Sequence, residues 1–197
     1  MKTIIIIVIA IILLKISITN TQNNVLVTNN IEESNQGIIK AKLFLGDIYD
    51  NKEGTEKDKK DAFNWYKKEA EKGNTKAKFS LSMMYGMAFG TLKDYKKVVY
   101  WLKKSAEEGH LKAQRNLGAL YNNGDIIPKD PKKSFYWYKK AANQGDGTSQ
   151  VIIGKMYCEG IYVDKILKKA KKWIQKAYEN NHPEAKNIWN EYELWKY

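Results

Sequence analysis

AEEGHLKAQRNLGALY, Ala106–Tyr121, halts one helix-forming pattern at Gly109 and starts another at once. A glycine there suits the left-handed residue that ends many helices, because no Cβ opposes a positive φ. His110 then stands at the capping position of the next helix. Ala113, Leu117, Leu120 and Tyr121 follow at helical spacing on one face. A hairpin of two such helices cannot bury its apolar face alone. It must stack on neighbours that share a core, so the stretch predicts a repeat joint.

The rest of the chain answers to that expectation. Segments beginning at Ala41, Ala77, Ala113 and Ser149 align without net insertion, a period of 36 residues. Tyr49, Tyr85, Tyr121 and Tyr157 keep that spacing, as do Trp65, Trp101, Trp137 and Trp173. Small residues recur at Gly46, Ser82, Gly118 and Gly154. A glycine inside a helix costs about 1 kcal/mol against alanine, which is tolerable where a second helix must come close. Each unit reads as two helices. The second is expected to start at an acidic cap, Asp58, Asp94 or Asp130, with Pro131 at the first helical position. In the fourth unit the cap candidate Asp164 lies two residues earlier, so that helix is expected to start sooner. Gly73, Gly109 and Gly145 close the second helices, and the Trp and Tyr ladders are expected at the junctions.

The ends read differently. Met1–Leu14 joins Lys2 to an unbroken apolar run, Ile4–Leu14, closed by Lys15. A membrane-spanning helix needs roughly 17–25 apolar residues, so the run fits the core of a signal peptide, with an uncleaved anchor as the alternative. Residues 1–19 are assigned to that leader and residues 20–36, rich in Asn, to a linker or degenerate cap helix. Residues 37–184 hold the repeats (41–76, 77–112, 113–148, 149–184), and 185–197 a C-terminal capping helix. No other apolar run approaches membrane length, so no stable span is expected once the leader is removed, and export is the expected destination. Cys158 is the single cysteine and cannot bridge within the chain; it reads as a small buried apolar side chain or as an intermolecular partner.

The pattern A-xxx-L-G-xx-Y followed by D-xx-K-A-xx-W-Y-xx-A-A-xx-G resembles the Sel-1-like repeat, a relative of the tetratricopeptide repeat. The third unit carries it most fully, at Ala113, Leu117, Gly118, Tyr121, Asp130, Trp137, Tyr138, Ala141, Ala142 and Gly145. The resemblance runs from Ala41 to about Ala185. It implies an all-α, right-handed α-solenoid of four helix-turn-helix repeats with terminal capping helices, used as a scaffold for protein–protein contacts. One branch of that family is cysteine-rich, with a disulfide in each repeat, and is linked to β-lactam binding. With Cys158 alone, that branch's chemistry has no footing here.

Residues suited to catalysis are sparse. His110 and His182 share one repeat position, filled elsewhere by Asn74 and Asp146, and are expected to cap helices. No His, Cys or carboxylate cluster has metal-site spacing, no Gly-rich phosphate loop follows a strand, and no Ser has a neighbouring His as base. The reading is a non-enzymatic chain without a cofactor or metal.

Two surfaces remain. If first helices line the concave side, as the resemblance implies, their exposed positions form a groove: Phe44, Asp47, Asn51, Ser80, Met83, Met87, Asn116, Asn123 and Lys155. Met83 and Met87 are one turn apart, and methionine suits an adaptable surface, although packing of Met and Phe between repeats is the simpler explanation. The formal charge of +12 concentrates in lysine pairs on the second helices. Lys165, Lys168, Lys169, Lys172 and Lys176 form a basic stripe opposite Ile166, Ala170, Trp173, Ile174 and Ala177. Such a stripe reads first as a solvated face and second as a dock for an anionic membrane, glycan or acidic protein. Nucleic acid is disfavoured, because the leader carries the chain away from it. The expected partner is a protein or peptide.

Overall fold

The computed structural model describes residues 55–197. Phe44, Asp47, Asn51, the leader and the linker therefore lie outside the described residues. Among the described residues eight helices follow one another and there is no strand. Helix α1 spans Glu56–Glu71, α2 Thr75–Met87, α3 Tyr95–Glu107 and α4 Leu111–Asn123. Helix α5 spans Pro131–Asn143, α6 Gly147–Glu159, α7 Leu167–Glu179 and α8 Ala185–Glu191, with a final 3-10 turn at Leu194–Lys196. Lys59–Tyr197 is one compact unit. Within it α2 packs on α3, α4 on α5 and α6 on α7, while α3–α4, α5–α6 and α7–α8 contacts join each hairpin to the next.

Local chemistry sets the boundaries. Gly73, Gly109 and Gly145 adopt φ of 101°, 94° and 93°, the conformation expected of the residues that turn one hairpin into the next. The next helix is capped by a side chain that accepts from a backbone N–H: Asn74 from Ala77, His110 from Ala113, and Asp146 from Ser149. Asp94 and Asp130 cap α3 and α5 in the same way, accepting from Lys97 and Lys133.

Three expected caps differ. Asp58 is not the N-cap of its helix. Thr55 takes that place in a reciprocal box, the Thr55 N–H and hydroxyl donating to Asp58 and the Asp58 N–H to the Thr55 hydroxyl. Helix α7 does not start early at Asp164. It starts at Leu167, in phase with α3 and α5, with Ile166 at the cap position and no side-chain bond there. Packing of Ala170, Ile174 and Ala177, all fully buried, fixes the phase that a cap residue would otherwise choose. His182 does not cap α8. The Ala185 N–H donates to the His182 carbonyl in a tight turn, and Glu184 precedes the helix without a side-chain cap bond.

Two clusters of the core lie within the described residues, beside further buried side chains such as Phe63, Leu81, Met84 and Val98. Leu102, Ala106, Ala113, Leu117 and Trp137 form one. Phe135, Tyr138, Val151, Ile153, Tyr157, Cys158, Ile174, Ile188 and Leu194 belong to the other. The recurrent small residue explains itself here: a Cβ on Gly118 would lie 2.9 Å from the Tyr138 ring, and one on Gly154 2.4 Å from Ile174 Cδ1. The Trp ladder is less buried than its regularity suggests. Trp137 is 7% exposed, but Trp65, Trp101 and Trp173 are only half-buried, and Trp195 in the end turn is 51% exposed.

Candidate functional site

The joints between repeats come first, since they fix which side chains share a surface. Lys78, Gln114 and Gln150 occupy one position on α2, α4 and α6, 36 residues apart, and Glu108, Gln144 and Asn180 occupy one position after α3, α5 and α7. Each pairs with its counterpart 30 residues away. Lys78 donates to Glu108, the Gln144 amide to Gln114 Oε1 at 2.7 Å, and the Asn180 amide to Gln150 Oε1 at 3.3 Å. The Gln114 and Gln150 amides also donate to the carbonyls of Ala106 and Ala142. These bonds satisfy the buried Lys78, Gln114 and Gln150 across three successive joints, while His182 Nδ1 at the last of them is buried without a partner. A second row lies beside it. Phe79 stacks on His110 with ring centroids 4.7 Å apart, and one repeat later Arg115 pairs with Asp146 at 3.0 Å.

The nominated groove residues fall in three columns at the same period, and the structure joins some of them. Asn116 approaches the Met83 sulfur at 3.9 Å, so one side chain of α4 reaches one of α2 across the repeat boundary. Met83 and Asn116 are half-buried, Met87 is 43% exposed and Asn123 is exposed beside Asn122. Lys155 is half-buried on α6. Ser80 does not line an open face. It is 8% exposed, and its hydroxyl bonds Tyr66, whose phenol burial pushes up to about 12.

The basic stripe is partly committed. Lys168 and Lys172 are exposed on α7, without an ion pair among the described residues. Lys165 sits in the turn before α7 rather than on the helix. Lys169 lies 5.4 Å over the Tyr157 ring and Lys176 4.9 Å over Trp173. Lys169 belongs to a ladder that sequence reasoning missed: Lys97 over Tyr85 and Lys133 over Tyr121 repeat the contact at 5.0 and 5.3 Å. In the pairs at 96–97, 132–133 and 168–169 the second lysine therefore anchors its own hairpin through a cation–π contact. Lys97 and Lys133 also meet the cap carboxylates Asp94 and Asp130. Ile166 leaves Lys169 without that carboxylate.

Few groups have altered acidity. Burial holds the His110 imidazole below its usual range, with Lys112 and Lys76 adding to the effect. Its Nδ1 accepts the Ala113 N–H at 3.2 Å, so the ring is neutral at the cap. Burial also pushes the Cys158 thiol up to about 11, with Glu159 adding to it. No group of three His, Cys, Asp or Glu among the described residues could hold a metal ion.

The Sel1 repeat pattern matches residues 39–74, 75–110, 111–146 and 148–182, most of the sequence. The chain belongs to the Sel1 repeat family. Sel1-repeat proteins generally serve as non-catalytic scaffolds for protein interaction. Solved Sel1-type structures are similar to this one. A Sel1 repeat protein from Oxalobacter formigenes is 34% identical over 64% of this chain and 95% of its own, with a TM-score of 0.62. A protective antigen of uropathogenic Escherichia coli displaying an SLR fold is 33% identical over 62% of this chain, with a TM-score of 0.60. The match spans only 26% of that antigen's length. Helicobacter pylori cysteine rich protein B is 28% identical over 68% of this chain and 97% of its own, with a TM-score of 0.53. No curated protein matches the sequence.

Proposed function

We propose that this Sel1 chain is an exported scaffold that binds a protein or peptide partner through the exposed face of its first helices. The observation that carries the reading is the contact of Asn116 with Met83 across a repeat boundary. It brings Met83 and Asn116 together over two repeats, and with Met87 and Asn123, exposed farther along α2 and α4, we read them as one strip. A strip of methionine and amide side chains binds by burying apolar surface and by adaptable hydrogen bonds. The export half of the proposal rests on the short apolar run after Lys2. N-terminal sequencing of protein from its native host should give a start near Thr19–Asn24, and intact Met1 in a soluble cytosolic fraction would refute it.

Met83→Glu is the deciding variant for the strip. Partner capture should fall with Met83→Glu and change little between low and physiological salt. A second reading, docking of the α7 face on an anionic surface, draws on the unpaired Lys168 and Lys172. It requires steep weakening with salt, because exposed charges are screened within about 8–10 Å at physiological ionic strength. It also requires loss on joint Lys168→Glu and Lys172→Glu substitution. If those changes abolish capture while Met83→Glu leaves it intact, the strip is not the binding surface.

A further inference from the structure

A cleft of about 520 Å³ lies between α5 and the turn that follows α6, away from the strip just described. Lys132, Phe135, Tyr136, Lys139, Lys140 and Tyr162 line it, and no carboxylate does. Two of its three lysines rest on aromatic rings, and none is neutralised by an ion pair among the described residues. Lys139 sits 5.5 Å over the Phe135 ring and Lys140 5.0 Å over Tyr136, while Lys132 makes no ion pair among the described residues. Lys133, next along the helix, shows the contrast: it is paired with Asp130 at 2.9 Å and does not face the cleft.

Tyr162 is the second observation. Its φ is +61°, a conformation that side chains disfavour, and the matching position one pair of repeats earlier is Gly90, at +64°. Ile126, between them in the series, avoids a positive φ. The Tyr162 ring stands 5.7 Å from Phe135 and is 49% exposed, so its strained backbone holds an open aromatic wall rather than a buried contact.

We propose that this cleft binds an acidic segment of a partner protein that also carries an aromatic side chain. Carboxylates of the segment meet Lys132, Lys139 and Lys140, and its ring enters against Phe135 and Tyr162. A neutral glycan brings hydroxyl groups and no negative charge, which leaves the three lysines of the cleft unmatched and finds no carboxylate to accept from it. A lipid surface would meet the lysines but has no ring to set against Phe135 and Tyr162. The proposal rests on the scaffold reading and adds a second surface to it.

The test is fluorescence anisotropy with the full chain and labelled glutamate–tyrosine copolymer, beside labelled polyglutamate and vesicles of phosphatidylcholine with phosphatidylserine. The copolymer should bind more tightly than polyglutamate. Lys132→Gln with Lys139→Gln should weaken it about tenfold or more, the loss of two ion contacts in one site. Tyr162→Gly should weaken the copolymer but not polyglutamate, while holding the melting temperature within about 2 °C, because relieved strain offsets the lost Phe135 contact. Equal binding of both polymers, binding insensitive to these variants, vesicle binding that depends on them, or no binding at all would each overturn the proposal. Capture that still depends on Met83 in that event would leave the scaffold reading standing.

Discussion

The joint between α2 and the end of α3 keeps its charges at Lys78 and Glu108, whereas the joint one repeat later keeps them at Arg115 and Asp146. The two pairs sit in neighbouring rows of the same lattice. Where the first joint has an ion pair, the second has Gln114 with Gln144; where the second has an ion pair, the first has Phe79 stacked on His110. The burial is reversed as well. In the first pair the lysine is covered and the carboxylate lies at the rim, while in the second the carboxylate is the covered partner. A stacking position thus accepts unlike chemistry, provided each covered polar group keeps a partner. The consequences of losing that partner differ accordingly.

The largest expected effect concerns the apolar side of the second joint. Trp137 packs with Leu102, Ala106, Ala113 and Leu117, and Trp137→Ala should cost about 3–5 kcal/mol, as for other buried aromatics. Trp101→Ala and Trp173→Ala should cost clearly less, and Trp195→Ala least, in denaturant melts. Equal costs at Trp137 and Trp195 would break the assignment of core and rim.

The polar rows come next. Asp146 accepts from the Ser149 N–H at 2.8 Å and its hydroxyl at 2.6 Å, and also pairs with Arg115. Asp146→Ala removes a cap and a covered ion-pair partner together, so a loss of about 2–4 kcal/mol is expected. His110→Ala, at the same repeat position, removes a cap and a ring stack and should cost about 1 kcal/mol. Chemical denaturation of both variants sharpens the comparison, and a larger loss at His110 would invert it. Glu108→Gln leaves the covered Lys78 an amide acceptor in place of its carboxylate, so a loss of about 1 kcal/mol is expected, and Glu108→Ala, which leaves no acceptor, should cost more.

Acid should loosen the first joint in two windows. The neutral His110 binds a proton less readily folded than unfolded, so its contribution is present above about 6.5 and falls away below it as pH drops through the lower folded value. Lys78 and then Thr75 hold Glu108 below its usual range, so its contribution is present above about 4.5 and is lost on further acidification. Amide exchange at Ala113, whose N–H rests on His110, should accelerate in the first window. His110→Asn should keep the cap and remove that step. Exchange at Ala113 that ignores pH in the wild-type chain would sink the assignment.

The sequence was most legible where one residue type repeats. Tyr, Trp and the small residue at 118 recur every 36 positions, and the helices follow. The polar rows were hidden for the opposite reason. Lys78–Glu108, Gln114–Gln144 and Gln150–Asn180 change identity at each step and join residues 30 apart. Only the matched exchange of both members, an acid and a base for two amides, marks them once the repeats are aligned. Caps misled where packing outranked them: Asp164 is a better cap than Ile166, yet the buried face of α7 fixes its start. Nomination of Ser80 failed because helical spacing shows a face but not what covers it, here Tyr66. Tyr162 carried a signal that went unread, a tyrosine where a sister repeat has glycine.

Cys158, fully buried in the cluster around Ile174, has a use as a clock. Its thiol is inaccessible and held in the unreactive protonated form, and the chain has no other thiol. Alkylating reagents therefore count openings of the fourth repeat directly, with no engineered probe and no competing site. In an oxidising compartment the same seclusion keeps folded molecules from cross-linking, so a covalent dimer would be a record of chains whose last hairpin had come apart.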